Sequence, residues 1–247
     1  VIGVPTVLEE LADAQEQQSF DLSTLTGIIT MGSPLERGAC LRYQRVLTPN
    51  IYNGYGTTET LWNTFLRPFD LPQYAGTAGA SMVDDDVRVV KIYDDHRADP
   101  DEVVATDGRE TGEVIICSPA KSPYQYFNNP EETEKKYYKG FIYTGDLATW
   151  DENQYITILG RKDDMIISSG ENIYPTEIEA VLNKNPKVKD CIVTSVPDKM
   201  RGQVVTAYVV RAGHSLKPED LDQFCKDSPD IAHFKRPRFY RFVEQIP

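Results

Sequence analysis

The stretch that most constrains the fold of this chain is the segment 160–179, which reads GRKDDMIISSGENIYPTEIE. It places an arginine and two acids before a short apolar run, and a turn of small residues before the start of a helix. Charged and glycine-rich residues around a strand-length apolar run are typical of a passage from one structural unit to the next. We therefore predict a domain boundary near residues 161–163, and we interpret the segment as both a hinge and part of an active site.

The composition predicts a soluble globular protein with one large core or two ordinary domains. The chain has 247 residues, of which 40% are hydrophobic and 26% are charged. Its formal net charge of −12 opposes contact with a phosphate backbone, so nucleic acid is not an expected partner. No apolar run approaches the ~18 residues that a transmembrane helix needs.

The cysteines are spread along the chain without paired spacing, and no histidine lies within a few residues of any of them. A zinc site or a disulfide framework is therefore not expected, and free thiols fit a reducing, cytoplasmic environment. The residues concerned are Cys40, Cys117, Cys191 and Cys225, with His96, His214 and His233.

Residues 1–75 show a βαβ rhythm, which predicts an α/β subdomain. Helical spacing of apolar residues predicts helices over 5–18 and 35–47. Apolar runs predict strands over 25–31 and 51–52, and the second strand leads into a glycine turn. In such sheets, ligands bind where strands end in glycine-rich turns. The first helix should bury a side made of Val7, Leu8, Leu11 and Ala14, while Glu9, Glu10, Asp13 and Glu16 face water.

The residue pattern of 76–160 differs from that of the preceding segment and predicts a β-rich, barrel-like subdomain. Its strands are expected over 87–92, 112–117 and 154–159, separated by turn-rich and acid-rich loops. One polar helix is expected over 129–138. The run of three acids at 84–86 is interpreted as a solvated loop rather than a metal site.

Residues 161–247 predict a small α+β domain. The fold class of the whole chain is thus α/β plus a β-barrel-like subdomain, followed by this α+β domain. Helices are expected over 176–183 and 218–226, the first opened by a capping box of Thr176 and Glu179. Strands are expected over 165–168, 188–196, 204–210 and 239–243.

The first candidate motif for chemistry is NGYGTTE at residues 53–59. Two glycines flank Tyr55, so a ligand can approach the backbone closely and meet a flat aromatic face. Thr58 and Glu59 then supply a hydroxyl for a phosphate and a carboxylate for its Mg²⁺, which takes one or two protein acids. The alternative interpretation is a strand-to-helix turn with a threonine cap.

The second candidate motif is YTGD at residues 143–146. A carboxylate such as that of Asp146, held on a glycine turn, can accept hydrogen bonds from both hydroxyls of a ribose diol. The alternative interpretation is an Asx turn that closes a hairpin.

The third candidate lies in the segment 160–179 itself. Arg161 presents a planar fork to ribose or phosphate oxygens, and the small residues at 168–170 could border a narrow channel. The alternative is a surface ion pair of Arg161 with Asp163 or Asp164, which contributes little.

In order and spacing, these three motifs closely resemble the adenylate-forming superfamily of acyl-CoA synthetases, peptide-synthetase adenylation domains and luciferases. VPT at 4–6, MGSPL at 31–35 and FKRPRFYRFVEQIP at 234–247 add to the resemblance. The run DDMIISSGENIYPTEIE is similar to acyl- and aryl-CoA ligases rather than to the other two branches.

The resemblance implies two half-reactions. A carboxylate and ATP give an acyl-adenylate and pyrophosphate, and the thiol of CoA then displaces AMP to give a thioester. ATP or AMP, Mg²⁺, CoA and a carboxylic acid of fatty-acid or aromatic-acid metabolism are thus the implied ligands. The resemblance is also compatible with a homo-oligomer.

Transferred by position, the resemblance assigns the nucleotide to five residues. Tyr55 stacks on adenine, Asp146 and Arg161 bind the ribose, and Thr58 contacts the α-phosphate. Glu59 holds Mg²⁺, and together with Thr58 it forms the implied catalytic pair.

Other implied roles concern the acid, the CoA and the motion of the small domain. Gly32, Ser33 and Gly54 line the acyl and adenine pocket, and Gly170 borders the passage for pantetheine. Asp163 is the hinge of the small domain. Leu61 and Trp62 are candidates for shaping specificity, and for Trp62 a place in the core is the alternative.

The resemblance also implies parts that lie outside the sequence. The family's glycine- and Ser/Thr-rich phosphate loop should precede VPT, and its lysine should follow a motif like VEQIP. The chain also opens on VIGVPT without an initiator Met. We therefore expect a C-terminal fragment that binds nucleotide weakly at most and does not complete adenylation alone.

Three functions stay open for the sequence. They are a piece of a carboxylate-CoA ligase, an adenylating enzyme that loads a carrier-protein thiol, and a non-catalytic nucleotide-binding or scaffold fragment.

Overall fold

The computed structural model describes residues 1–93, 95–121, 125–213 and 215–246. Asp94, His214 and Pro247, on which parts of the predictions fall, lie outside the described residues. The chain divides into a first unit, Val1–Ile158, and a second unit, Leu159–Pro247. Within the described ranges, no helix is both long enough and apolar enough to cross a membrane.

The first unit begins with a five-stranded sheet and two helices. The elements are β1 (Ile2–Gly3), α1 (Pro5–Gln17), β2 (Ile28–Met31), α2 (Arg37–Val46), β3 (Ile51–Thr57), β4 (Leu61–Leu66) and β5 (Ala80–Ser81). The strands lie in sequence order. β1, β2 and β3 run parallel to one another, whereas β4 is antiparallel to β3 and β5 is antiparallel to β4. The helices and the sheet share one core, whose buried members include Leu8, Ala12, Ile28, Cys40, Tyr43 and Ile51.

The predicted apolar side of α1 is wrong in part. Leu8 and Ala12 are fully buried, but Val7 and Leu11 are 44% and 42% exposed. The acids of this helix also do not face only water, since three of them contact Arg42 of α2. Arg42 forms ion pairs with Glu9, with Asp13 at 2.5 Å and with Glu16 at 2.7 Å.

The rest of the first unit is built on a second sheet. Its elements are β6 (Asp86–Val90), β7 (Gly112–Cys117), α3 (Pro130–Lys136), β8 (Tyr137–Tyr138), β9 (Phe141–Trp150) and β10 (Ile156–Arg161), and the last three residues of β10 already belong to the second unit. The strand order is β10-β9-β7-β6, and β8 pairs with β9. The strand pattern in the sequence does not predict β9, although β9 is the longest strand of this sheet.

The interpretation of the acid run as a solvated loop is wrong for its middle residue. Asp84 and Asp86 are exposed, but the Asp85 side chain is fully buried and lies 2.5 Å from the Lys121 amine. Burial of a carboxylate requires such a partner, and no partner was visible from the local sequence.

The second unit is an α+β fold around one core. Its elements are β11 (Ile166–Ser168), β12 (Glu171–Ile173), α4 (Pro175–Leu182), β13 (Val188–Asp198), β14 (Gly202–Arg211), α5 (Pro218–Asp227) and β15 (Phe239–Val243). The sheet has the order β12-β11-β14-β13, and β15 pairs with β14 in parallel. Both helices pack on this core through Ile178, Leu182 and Leu221. The architecture of the two units confirms the predicted fold class.

The predicted capping box at the start of α4 is wrong. Tyr174 occupies the N-cap position and forms no side-chain cap. The Thr176 hydroxyl instead donates to the Leu159 carbonyl, and the Glu179 carboxylate accepts the Val193 amide at 2.7 Å. Burial raises the pKa of Glu179 above its usual 4.5, and the Val193 hydrogen bond offsets part of this effect. Both side chains therefore tie α4 to neighbouring segments of the second unit.

Candidate active site

The carboxyl ends of β2 and β3 bring together three of the predicted pocket residues. These strands are parallel, and Met31 pairs with Gly54. Gly32 follows directly with a backbone φ of +86°, which glycine adopts without strain, and Ser33 is exposed. Ligands in α/β sheets bind at such strand ends, so Gly32, Ser33 and Gly54 occupy a suitable position for a pocket.

The NGYGTTE motif forms a hairpin rather than the predicted glycine turn. β3 continues through the glycines to Thr57, and the turn that joins it to β4 carries Thr58 and Glu59. Gly56 is required because a Cβ there would lie only 1.6 Å from the Leu61 carbonyl oxygen. The glycine thus permits close contact between two strands, and the Thr58 side chain is exposed at their tip.

Two residues predicted to bind the nucleotide contact each other directly. The Tyr55 hydroxyl donates a hydrogen bond to Asp146 Oδ2 at 2.7 Å, although the two residues are 91 positions apart. The Tyr55 ring packs against the core of the second sheet and stays partly exposed. Asp146 is 8% exposed. This bond fixes the position of both groups.

Asp146 lies in a bulge of β9, not in the predicted turn. The pairing of β9 with β7 shifts in register between Glu113 and Ile115. Within the bulge, Gly145 has a φ of +76°, and its amide donates to Glu113 Oε1 at 3.1 Å. The Asp146 amide donates to the Thr144 hydroxyl at 3.0 Å. A bulge redirects a side chain that a regular strand would point elsewhere, and here it places Asp146 beside Tyr55.

Glu59, the predicted metal ligand, accepts a hydrogen bond from Tyr126. Burial opposes ionisation of this carboxyl, but hydrogen bonds, led by that of the Tyr126 hydroxyl, together outweigh it, and the pKa of Glu59 lies below its usual 4.5. Tyr126 is in turn bonded through its amide to the Thr133 hydroxyl of α3 at 3.0 Å. Sequence reasoning missed Tyr126, because no local pattern links a tyrosine to a carboxylate 67 positions away.

We expect Tyr126→Phe to raise the pKa of Glu59, because burial still opposes ionisation and the hydroxyl that favours it is gone. A carboxyl with a lowered folded-state pKa contributes stability above its unfolded value, and this is lost as the pH falls through the folded value. In wild type this stability is lost as the pH falls below 4.5, and in the variant, whose folded pKa lies higher, less of it is there to lose. An NMR titration of the Glu59 carboxyl carbon measures the shift. The exposed Tyr138→Phe is the control, and an equal midpoint in both variants would contradict the role of Tyr126.

The turn also meets the requirements of a magnesium site. Glu59 is ionised at neutral pH and the exposed hydroxyl of Thr58 lies next to it. One ionised carboxylate is what Mg²⁺ needs when phosphate oxygens and waters supply the other ligands. The residues present therefore fit the metal that the sequence implies.

The two residues considered for specificity differ in exposure. Leu61 is 59% exposed with a φ of +57°, which a branched side chain rarely adopts. Trp62 is half-buried and meets the Phe65 ring edge-on at 5.2 Å. Leu61 is therefore not part of the core, and Trp62, for which the core was the alternative, is only partly buried.

The other predicted residues belong to the second unit. Arg161 is the exposed last residue of β10, and Asp163 lies in the exposed turn that follows it. Ser169 and Gly170 form the turn between β11 and β12 with φ values of +55° and +84°. Two positive φ angles are the signature of a two-residue hairpin turn that favours glycine, which accounts for Gly170.

Comparison with known families matches most of the chain. The family model described as AMP-binding enzyme matches residues 1–122, and the model described as AMP-binding enzyme C-terminal domain matches residues 177–247. The first match includes Gly32, Tyr55 and Glu59.

Known proteins match over the full length of the chain. A long-chain-fatty-acid–CoA ligase of Yersinia pestis is 31% identical over 247 residues, which are 100% of this chain and 42% of the ligase. The structure of o-succinylbenzoate CoA synthetase from Bacillus subtilis with its acyl-adenylate intermediate superposes with a TM-score of 0.86. Its identity is 27%, and the match covers 100% of this chain and 47% of the synthetase.

A third match is a solved structure whose name is amide bond synthetase. The amide bond synthetase of Marinactinospora thermotolerans has a TM-score of 0.82 and 28% identity, with 100% of this chain and 48% of the synthetase covered. The chain thus spans less than half the length of the relatives it matches. From the two family models, the structural likeness and the motifs at the strand ends, the chain belongs to the family of AMP-binding, adenylate-forming enzymes.

Proposed function

We propose that this chain is part of an AMP-forming carboxylate–CoA ligase. In the first half-reaction, a carboxylate oxygen attacks the α-phosphorus of ATP, and pyrophosphate leaves. In the second, the sulfur of CoA attacks the acyl carbon, the thiol proton is released and AMP leaves. The observation that carries the proposal is the hydrogen bond from Tyr55 to Asp146, with Glu59 on the turn that ends the same strand. It supports a nucleotide site in which the ribose acceptor and the metal ligand share one unit.

The residues of the first unit divide the nucleotide between them. Tyr55 offers its ring to adenine beside the flat backbone of Gly54. Asp146 accepts hydrogen bonds from ribose hydroxyls, as carboxylates do with charge-assisted strength. Thr58 donates its exposed hydroxyl to an oxygen of the α-phosphate. Because both substrates react directly with each other, the chain needs no side-chain nucleophile, and positioning supplies much of the rate.

Glu59 is the residue that would hold Mg²⁺ in this site. The bound ion supplies neutralisation of the negative charge on the phosphates. Tyr126 favours the ionised carboxylate of Glu59 and fixes its orientation, so this metal-binding group is in place before the nucleotide binds. Gly32 and Ser33, at the end of the neighbouring strand, are proposed to line the acyl side of the pocket.

We assign the second unit to the CoA step. Arg161 is the proposed second ribose ligand, and Gly170 the proposed border of the pantetheine passage. Asp163 is the proposed hinge, since it lies in an exposed turn shortly after the boundary between the units. A hinge lets one nucleotide site serve two chemistries in turn. The domains we propose are 1–75, 76–160 and 161–247.

We propose a fatty or aromatic carboxylic acid as the substrate, in line with the names of the relatives. We also propose a cytoplasmic location, because Cys40, Cys117, Cys191 and Cys225 are all free thiols.

The test is acid-dependent ATP–pyrophosphate exchange by the whole protein that the gene encodes, run with a panel of carboxylic acids. We expect exchange with at least one fatty or aromatic acid, and its loss in Glu59→Gln but not in the exposed control Glu152→Gln. No exchange with any acid would favour the non-catalytic scaffold function.

A second assay separates the two thiol acceptors. The acid that supports exchange is incubated with ATP and either CoA or a phosphopantetheinylated carrier protein, and thioester formation is measured. We expect CoA to be the better acceptor. A carrier thiol that reacts as well as CoA would overturn the ligase assignment in favour of a carrier-loading enzyme.

A further inference from the structure

Asp85, a buried acid linked to the turn that carries Thr58 and Glu59, has no role in the chemistry described above. Asp85 lies between two exposed acids, yet its side chain has no exposed surface. A buried carboxylate is costly unless charges and hydrogen bonds compensate it. Its partners therefore indicate why it is there.

Three side chains surround the Asp85 carboxylate. Lys121 donates to Oδ2 at 2.5 Å, Asn63 donates to Oδ2 at 3.1 Å, and the Ser118 hydroxyl donates to Oδ1. Asn63 and Ser118 are themselves 0% and 2% exposed. The cluster is thus a satisfied ionic centre in the interior of the first unit.

A chain of hydrogen bonds leads from this centre to the turn that carries Thr58 and Glu59. Asn63 must direct its amide N–H groups at the carboxylate, so its Oδ1 accepts the Thr60 hydroxyl at 2.6 Å. With its proton committed, the Thr60 oxygen accepts the Thr57 hydroxyl at 2.9 Å. All donors in the chain point towards Asp85, and bonds aligned in this way strengthen one another.

The same centre also holds the backbone beyond the turn. Lys121 donates a second hydrogen bond to the Trp62 carbonyl. The Met82 amide donates to the Asn63 carbonyl at 2.8 Å, and the Ser81 hydroxyl donates to the Asp85 carbonyl at 2.6 Å. Both sides of the hairpin tip are therefore tied to one buried carboxylate.

We propose that Asp85, acting through Asn63 and Lys121, is the positioning residue of the turn that carries Thr58 and Glu59. This inference rests on the proposed function, since it assigns those two residues to phosphate and Mg²⁺. Asp85 touches neither ligand and fixes the geometry in which they are met. A turn held in place before substrate binds lowers the cost of reaching the reactive arrangement.

The structural test is hydrogen–deuterium exchange of the 247-residue chain with Asp85→Asn. In this variant an N–H donor replaces one carboxylate oxygen, so it faces the donors that the carboxylate accepted. The peptides that cover 58–63 should therefore exchange about tenfold faster or more, which is the scale of one lost hydrogen bond. Peptides that cover 143–148 are the internal reference and should not change. Asp84→Asn, an exposed neighbour with the same change in charge, is the matched control. Unchanged exchange at 58–63 in Asp85→Asn would overturn the proposal.

The functional test uses pyrophosphate exchange by the whole encoded protein. Asp85→Asn should lower kcat at least tenfold with a smaller change in the KM for ATP, and Asp84→Asn should leave both unchanged. Lys121→Arg should retain more activity than Lys121→Met, because it keeps the charge. Equal kcat in Asp85→Asn and wild type would overturn the proposal.

Two further outcomes are decided by the same design. If Asp85→Asn does not fold, Thr60→Val breaks the chain next to the turn without touching the ion pair, and its exchange at 58–63 decides instead. If the wild-type protein shows no pyrophosphate exchange with any acid, the proposed function fails, while the deuterium exchange still confirms or overturns the anchoring of the turn.

Discussion

Gly56→Ala is expected to destabilise the first unit by about 3 kcal/mol, the upper end of what an added methyl group costs in a packed region. The new Cβ would lie 1.6 Å from the Leu61 carbonyl oxygen, which is backbone and cannot rotate away. The strands β3 and β4 must separate at this point, and the turn with Thr58 and Glu59 moves with them. Urea unfolding followed by tryptophan fluorescence measures the loss, because both tryptophans, Trp62 and Trp150, lie in the first unit.

Gly54→Ala is the matched control for this experiment. A Cβ at that position would lie 3.2 Å from the tip of the Phe65 ring, a side chain that can shift. We expect a change in unfolding free energy below ~1 kcal/mol, since alanine also restricts the unfolded chain. Similar losses for the two alanines would show that the close contact at Gly56 does not set the hairpin.

Asp146→Asn is expected to weaken nucleotide binding about 10- to 100-fold. A hydrogen bond to a charged group contributes roughly 1.5–3 kcal/mol, and every 1.4 kcal/mol is about tenfold in affinity. Asparagine keeps an oxygen for the Tyr55 hydroxyl, so the fold and the bulge should persist. The KM for ATP in pyrophosphate exchange by the whole encoded protein is the first measurement, and calorimetric titration with AMP is the second.

The control for Asp146 is Glu152→Gln, an exposed acid that follows the same strand. It removes one negative charge from the same region and should leave nucleotide affinity unchanged. If both variants bind ATP as wild type does, Asp146 is not a ribose ligand. If both lose affinity equally, net charge rather than a hydrogen bond is responsible.

The elements that the sequence predicts correctly are those whose residue pattern is visible within the element itself. The expected strands 112–117 and 239–243 coincide with Gly112–Cys117 and Phe239–Val243. The first is rich in β-branched residues and the second in aromatic residues, so composition favours a strand in both. The helices α1 and α2 were also found, since their apolar spacing repeats over several turns.

The strands β4 and β9 escaped prediction because they contain residues that are unfavourable in isolated strands. Asn63 and Thr64 are fully buried in β4, where the Thr64 hydroxyl donates to the Ala78 carbonyl at 2.6 Å. In β9, Gly145 and Asp146 form the bulge. Partners elsewhere in the chain satisfy these polar groups, such as Ala78 for Thr64 and Tyr55 for Asp146, and a single sequence does not show which residues these partners are.

For the candidate site, the motifs showed which residues to consider but not what holds them. Gly32, Tyr55 and Glu59 were singled out from short patterns in the sequence. Their contacts depend on distant residues, such as Asp146 for Tyr55 and Tyr126 for Glu59. Long-range pairing decides these contacts, and their roles in catalysis remain predictions that the experiments above test.

The ion pair between Asp85 and Lys121 also constrains how the gene can diverge. Loss of one charge alone leaves the other largely buried without its counterion, which is more harmful than losing both. Among close homologues, codons 85 and 121 should therefore change together, with a neutral pair replacing the acid and the amine. Asp84 is exposed, and Asp86 pairs with Arg88 only at the surface, where an ion pair contributes little. The two ends of the acid run should therefore vary more freely than its centre, which should change together with the lysine 36 positions away.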